Sequence, residues 1–337
     1  MSKSGTIAGL GFGIALGVLG GVYVLAPNVP GAGGGAGTSA QELTAAREDA
    51  DAADRDAQAS DEVVAGLAAK AVAGELEGKK VALISFPDAD RETVDRLRWL
   101  VDKAGAEVAP LPVTEEMLNP EKGDKLKSVA ANSLPAGAQL SEEVLSPGMH
   151  TGQLLGAALS SKLPKIEKPA EGEQNRDRGE NREEESGNRR EGNGGGGTAS
   201  ASDRAVVFGS LEKNGVLKKP TDLGDEGVDL ALIVTNKGVT ADESGYGAQF
   251  IADFAAGMDS QIPGAVLVGE SGSADKKAAL GIVRNERAYA EKLSTVDNVQ
   301  RSAGRITAVR ALKEQADGDA GHYGAATNAK AATVGKN

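Results

Sequence analysis

Residues 228–234 read VDLALIV, an apolar run of the length expected for a strand that is buried on both faces. A helix is predicted over residues 247–258, and a second short apolar run, 264–268, follows it. The two strands are expected to be parallel neighbours, because the helix between them is the crossover that a parallel connection requires. The sequence therefore predicts a parallel sheet with the first run near its centre.

The same alternation is found on the N-terminal side of this run. Residues 81–86 predict a strand, and apolar positions three and four residues apart predict a helix over 91–104. The next strand, 108–113, contains Pro110 and Pro112, which cannot donate hydrogen bonds and therefore confine the strand to the edge of the sheet. Further helices are predicted over residues 123–133, 151–163, 203–214 and 304–315.

The fold class that follows is α/β, with a doubly wound, Rossmann-like and mostly parallel sheet. Ile282 and Val283 are expected to begin a further strand at the edge of this sheet. The chain beyond Tyr323 is rich in glycine and alanine and is expected to be unstructured.

A stretch without charge, residues 6–26, precedes these elements. At about 1.5 Å per residue, a helix of this length covers roughly 30 Å, the thickness of a hydrocarbon core. Lys3 is the only charge before the stretch and the residues after it become acidic, so the positive-inside rule places the N-terminus in the cytoplasm. A single-pass cell-membrane protein with its main domain in the cell envelope is predicted. A cleaved signal peptide is the alternative.

Glycine recurs every fourth residue along the predicted membrane helix, which aligns the glycines on one face. The positions are Gly5, Gly9, Gly13, Gly17 and Gly21. Small residues at this spacing allow the close approach of a second helix, which favours a homodimer or pairing with another membrane protein. Glycine is also common in membrane helices without such a role.

An acidic helix rich in alanine is predicted over residues 41–77. Its small apolar positions alternate in steps of three and four, the spacing of a coiled-coil seam. The seam comprises Leu43, Ala46, Ala50, Ala53, Ala57, Val64, Leu67 and Ala71. Residues 41–62 contain eight acidic residues and only two basic residues, both arginine. This stalk is either a solvated spacer or a recognition helix for another envelope protein.

The predicted organisation runs from membrane to tail. The parts are a cytoplasmic N-terminus with the anchor (1–27), a flexible Gly/Pro tether (28–40), the coiled coil (41–77), the first part of the α/β domain (79–163), a disordered insertion (164–203), the second part of the α/β domain (204–323) and a disordered tail (324–337).

Composition excludes several function classes. The net charge is −12, and no group of Lys and Arg stands free of acidic residues, so nucleic acid is not expected as a partner. The chain contains no cysteine, which excludes disulfides, thiolate metal sites and thiol catalysis.

The turns that follow the predicted strands carry no catalytic signature. Asp88 and Asp90 stand where a nucleotide-binding fold needs glycines, and Asp90 is predicted to cap the next helix. Residues 269–273, GESGS, resemble a nucleophile elbow, but the second glycine comes one position early. A serine hydrolase would depend on His322, so Ser271 is assigned to a turn or cap and no enzymatic activity is expected.

Three segments resemble the mycobacterial copper transport protein B family. They are KLKSVAANSLPAGAQLS at 125–141, GQLLGAAL at 152–159 and STVDNVQRSAGRITAVRAL at 294–312. The order of membrane helix, short coiled coil and α/β domain is similar to that of the family as well. The resemblance covers residues 79–323 apart from the insertion.

The resemblance implies a non-enzymatic envelope component in copper transport or homeostasis, acting as an oligomer. No resident cofactor is expected, and copper enters through the resemblance alone. Copper(I) prefers soft ligands, and the candidates are Met149 and His150, interpreted as a chance surface pair, together with His322. The alternative is an envelope adaptor whose coiled coil and α/β domain recruit or activate a cell-wall peptidoglycan hydrolase at the septum.

Overall fold

The computed structural model describes residues 36–161, 199–218, 227–236 and 244–335. The predicted anchor, its glycines from Gly5 to Gly21 and residues 164–198 of the predicted insertion lie outside the described residues. Within the described ranges, no helix combines the length and the apolar character that a membrane crossing requires.

The first described element is helix α1, Ala36–Val72. It begins inside the predicted tether and ends before residue 77, because Gly74 and Gly78 adopt positive φ angles of 78° and 70° that break helical geometry. The chain divides into two compact units, residues 1–67 and 68–337. In the first unit, Val63 and Leu67 leave 67% and 58% of their surface exposed.

The second unit is built on six strands. They are β1 Lys80–Ser85, β2 Glu107–Pro112, β3 Leu230–Val234, β4 Ala265–Val268, β5 Ser294–Val296 and β6 His322–Tyr323. All neighbouring strands are parallel, in the order β2-β1-β3-β4-β5-β6. The first five strands follow the flavodoxin-like order, and β6 extends the sheet by one strand.

Helices connect the strands. They are α2 Arg91–Lys103, α3 Gly123–Ser133, α4 Pro147–Leu159, α5 Ala201–Lys213, α6 Tyr246–Asp259, α7 Ala279–Asn285, α8 Arg287–Ala290 and α9 Ser302–Asp317. Two short 3-10 helices, Glu115–Leu118 and Pro120–Lys122, precede α3. Helix α5 starts within the range assigned to the insertion, because Ser200 and Asp203 form a capping box at its N-terminus.

The helices cover both faces of the sheet. Successive strand side chains point to opposite faces. Ala82 and Ile84 of β1 belong to the large core that includes residues of α3 to α7. Val81 and Leu83 are buried as well but lie outside that core, on the face where α2 and α9 contact each other. The prediction of an α/β protein with a parallel sheet is confirmed.

The edge position of β2 is confirmed too. Glu107 at its start donates its backbone N–H to the Lys79 carbonyl oxygen, and Val113, directly after its end, donates to that of Ser85 in β1. Alternate residues of a strand bond to the same neighbour, so Pro110 and Pro112, at odd-numbered steps from these two residues, direct their backbone groups away from β1. Proline has no backbone N–H, and at this outer edge the missing donor breaks no hydrogen bond between strands.

Two expectations near the C-terminus are wrong. Ile282 and Val283 lie in helix α7, where Val283 is fully buried, and form no strand. The sequence predicts an unstructured chain after Tyr323, but the Gly324 and Lys330 N–H groups donate to the carbonyl oxygens of Ala331 and His322 at 3.0 and 2.8 Å. This returning segment covers the outer edge of β6.

Candidate functional site

Met149 and His150 lie in the first turn of helix α4. Ser146 caps this helix by accepting from the Met149 N–H at 3.1 Å, and Pro147 follows at the first helical position. Met149 and His150 are only 6% and 8% exposed, so the interpretation as a surface pair is wrong. Met149 packs in the hydrophobic core, and His150 Nε2 lies 3.1 Å from the Ser141 carbonyl oxygen.

His322 lies in β6 and is also buried. Its Nε2 is 3.0 Å from the Ala290 carbonyl oxygen, so this nitrogen carries the proton and donates. Its Nδ1 is then the acceptor for the Thr295 hydroxyl at 2.9 Å. Burial, followed by the charges of Arg284 and Lys330, lowers the pKa of His322 to about 4. The ring is neutral at physiological pH and both nitrogens are engaged.

A buried ion pair stands beside His322. Arg284 Nη1 and Asp297 Oδ2 are 2.9 Å apart, and the two side chains are 2% and 3% exposed. Arg284 also donates from Nε to the Thr295 hydroxyl at 2.9 Å and from Nη2 to the Tyr323 carbonyl oxygen at 2.8 Å. The Thr295 hydroxyl thus links the guanidinium to the imidazole. Arg284, Thr295, Asp297, His322 and Asn328 are called the polar cluster below.

The polar cluster holds the returning C-terminal segment. Asp297 Oδ1 accepts the backbone N–H groups of Ala325 and Ala326 at 2.6 and 3.1 Å. Asn328 accepts from Arg284 Nη1 at 2.8 Å and donates to the Ala274 carbonyl oxygen at 2.9 Å. The carboxylate lies so close to the backbone of residue 324 that only a glycine fits there, and Gly324 adopts φ 133°. The cluster therefore joins the ends of β5 and β6 to the chain that covers them.

Sequence reasoning did not identify this cluster. Asp297 directly follows a strand, which is the usual place for functional side chains in a parallel sheet. That signal could have been found, but β5 has only three residues, Ser-Thr-Val, and gives little periodicity. Arg284 directly follows Ile282 and Val283, whose assignment to a strand is wrong, and it lies in helix α7, which contacts β5.

The two aspartates that follow β1 have structural roles. Asp90 caps α2 by accepting from the Thr93 N–H at 2.7 Å, which confirms its predicted role; this bond lowers the pKa of Asp90. Asp88 accepts from the Thr235 hydroxyl and the Asn236 N–H, both at 2.9 Å. It therefore bridges the ends of β1 and β3, where flavodoxin-like sheets bind ligands.

Ser271 lies in a turn, as expected. Its hydroxyl accepts from the Gln300 side chain, and its backbone N–H donates to the same side chain at 3.2 Å. A nucleophilic serine needs a base within hydrogen-bond reach, and the described partner of this hydroxyl is an amide.

The candidate copper ligands are not brought together. His150 bonds the loop before α4, whereas His322 bonds β5 and the end of α8. Across the described ranges, no group of three or more His, Cys, Asp and Glu side chains is arranged to hold a metal ion.

Comparison with known proteins identifies the family. A family model described as "Copper transport outer membrane protein, MctB" matches residues 6–334. Copper transporter MctB of Mycobacterium tuberculosis (strain H37Rv) and that of Mycobacterium bovis are each 30% identical over 263 residues, which is 77% of this chain and 74% of the relative. The Mycobacterium leprae protein of the same name is 29% identical over 265 residues. The chain therefore belongs to the MctB copper transport family.

Proposed function

We propose that this protein is a non-enzymatic, membrane-anchored component of the cell envelope that serves copper homeostasis as part of an oligomer. The observation that carries the proposal is the family match, which includes the uncharged N-terminal stretch, the acidic helix and the sheet. The curated relatives bear the name copper transporter, and that name supports a copper-related role here.

The role is proposed to depend on assembly and not on a copper site in the α/β unit. Met149 is packed in the core, and the rings of His150 and His322 are bonded to backbone carbonyl oxygens. Copper(I) would have to displace these interactions to reach soft ligands. A transport path would then be formed between chains, with residues 6–26 as the anchor of each copy.

Growth in copper tests the proposal. A strain of the source bacterium that lacks this protein is compared with its parent over a range of copper and zinc concentrations, and cell copper is measured by mass spectrometry. We expect the deletion strain to accumulate copper and to stop growing at lower copper, with unchanged zinc tolerance. Normal copper tolerance together with normal cell copper would contradict the proposal.

A second candidate, the envelope adaptor, is favoured by the surface of α1. Val63 and Leu67 are largely exposed on a helix that is otherwise acidic and rich in alanine. They are four residues apart and lie on one face of the helix, where Leu67 belongs to the predicted seam and Val63 lies beside it. Exposed apolar residues along one helix face are typical of a surface that a partner helix covers. The adaptor would use this seam to bind a cell-wall hydrolase.

The structure sets the limits of the deletion that tests the adaptor. Ala68, Val72 and Leu76 are buried in the second unit, so a deletion of 41–77 would remove part of its core. Removing residues 41–67 takes away the acidic helix together with the exposed Val63 and Leu67 and leaves these buried side chains in place. Chemical crosslinking in intact cells, followed by purification of the full-length and shortened chains, is expected to recover a cell-wall hydrolase with the full-length chain alone. Equal recovery with both chains would exclude the acidic helix as the binding element.

A further inference from the structure

Helix α2 presents a side-chain stripe that does not contribute to the core. Its buried positions are Thr93, Leu97, Leu100 and Val101. Asp95, Arg98, Trp99 and Asp102 follow at steps of three, one and three, which places them together on another face of the helix. Trp99, the only tryptophan of the chain, is 48% exposed.

The stripe lines a cleft between α2 and the edge strand. The cleft has a volume of about 580 Å³, and Glu107 and Val108 of β2 form its other side. Among the described residues, Asp95 and Arg98 form no ion pair, although Arg96 on the same helix pairs with Glu92. Tryptophan and arginine are the residue types most enriched at binding surfaces, and here an exposed Trp99 lies beside Arg98.

The outer edge of β2 excludes one mode of binding. An added strand would need backbone N–H groups on this edge, but Pro110 and Pro112 have none. The C-terminal end of β2 already has a hydrogen-bond partner, because the Lys218 N–H donates to the Pro112 carbonyl oxygen at 3.4 Å. A ligand of this surface is therefore recognised by the side chains of the cleft.

The charge of the cleft selects the ligand. Three carboxylates, those of Asp95, Asp102 and Glu107, line it with one guanidinium, that of Arg98. Asp102 pairs with Lys103 at 3.6 Å and Glu107 with Lys80 at 3.1 Å, but the two carboxylates are 64% and 71% exposed. Such exposed pairs contribute little and exchange partners readily. A cation over the indole face of Trp99 would be attracted both by the ring and by the nearby carboxylates.

We propose that this cleft, called the Trp99 cleft, binds a basic peptide segment of a partner protein, with a Lys or Arg side chain on the indole ring. The proposal is independent of the copper role. It also differs from the α1 seam, because it concerns the α/β unit and a ligand with positive charge.

The single tryptophan makes the test direct. Full-length protein is titrated with an acetylated pentapeptide of lysine and arginine at 150 mM salt, while the tryptophan emission is recorded. We expect a saturable change in emission. An Asp95→Asn/Glu107→Gln variant should bind about fivefold more weakly, since exposed ion pairs each contribute only modestly. Trp99→Ala, followed by calorimetry, should weaken binding about two- to fivefold.

The control removes the same charge elsewhere. Glu142 and Glu143 are exposed and do not line the cleft, so Glu142→Gln/Glu143→Gln should bind the peptide like the wild type. Equal weakening in both double variants would show general charge attraction and overturn the proposal. An emission change with an N-acetylglucosamine oligomer and none with the peptide would overturn it as well, in favour of a saccharide ligand.

Discussion

At the residue scale, the largest effect on stability is predicted for the buried ion pair of Arg284 and Asp297. Removing one charge leaves the other buried without its partner, and Asp297→Ala should therefore reduce the free energy of unfolding by about 3–5 kcal/mol. Urea denaturation measures this loss. Arg287 and Glu291 form a comparable pair that is 89% and 59% exposed, so Glu291→Ala should cost less than about 1 kcal/mol. Similar losses for the two variants would contradict the structural role of the polar cluster.

His322 predicts a pH dependence of stability. Its folded pKa is about 4, below the value of 6.5 for a free imidazole, so the unfolded chain takes up the proton first as the pH falls. The neutral His322 ring makes its full contribution to the free energy of unfolding above pH 6.5, and this contribution decreases as the pH falls from 6.5 to about 4. His322→Gln should flatten the stability profile in this window. An imidazole resonance of His322 that titrates near pH 6.5 in NMR spectra would contradict the bonding described for the ring.

Two residue-level predictions from sequence were correct because the chemistry is local. Asp90 caps α2 within three residues of its own position, and Pro110 and Pro112 restrict their strand wherever it folds. Arg284 and Asp297 could not be paired from sequence, since their contact depends on how α7 packs against β5.

At the element scale, helices α4 and α6 pack unusually closely. Side chains at Gly148, Gly152 and Gly156 on α4 and at Gly257 on α6 would overlap atoms of the facing helix. Glycine at every fourth residue allows this approach, which is the geometry that the sequence analysis assigned to the membrane segment. Here the same spacing is found inside the α/β unit.

The close contact of α4 and α6 predicts that a Gly→Ala substitution within it has a different effect on stability from the same substitution elsewhere. The Cβ of Gly152→Ala would overlap the Phe254 carbonyl oxygen, so we expect a loss of about 1–3 kcal/mol from overpacking. Gly209 in α5 has open space around its Cβ position, so Gly209→Ala should be neutral or stabilise by up to about 1 kcal/mol. Thermal unfolding compares the variants. A neutral Gly152→Ala would show that the two helices lie farther apart.

Element prediction succeeded where the runs were long enough. The strands β1 and β3 are continuous apolar runs, and the helices α2 and α6 show clear periodicity. The two strands that were not predicted, β5 and β6, have three and two residues and contain Ser, Thr and His. Short helix α7 was mistaken for a strand because Ile282 and Val283 are β-branched neighbours.

At the scale of the whole molecule, the α/β class and the parallel sheet could be read from the alternation of strands and helices. The candidate site could not, because the polar cluster joins residues 284, 295, 297, 322 and 328, which meet only after β5 and β6 pair. The family resemblance rests on motifs whose residues form helices, loops and the strand β5 and carry no copper chemistry of their own.

The central claim is that this protein supports copper homeostasis without a copper site in its α/β unit. The most direct measurement is the copper tolerance of the deletion strain when it carries a chain with Met149→Leu, His150→Gln and His322→Gln, with each single variant tested in parallel for folding and abundance. The account predicts that a folded triple variant restores tolerance to the level of the wild type. A folded, equally abundant variant that leaves the cells sensitive to copper would contradict it.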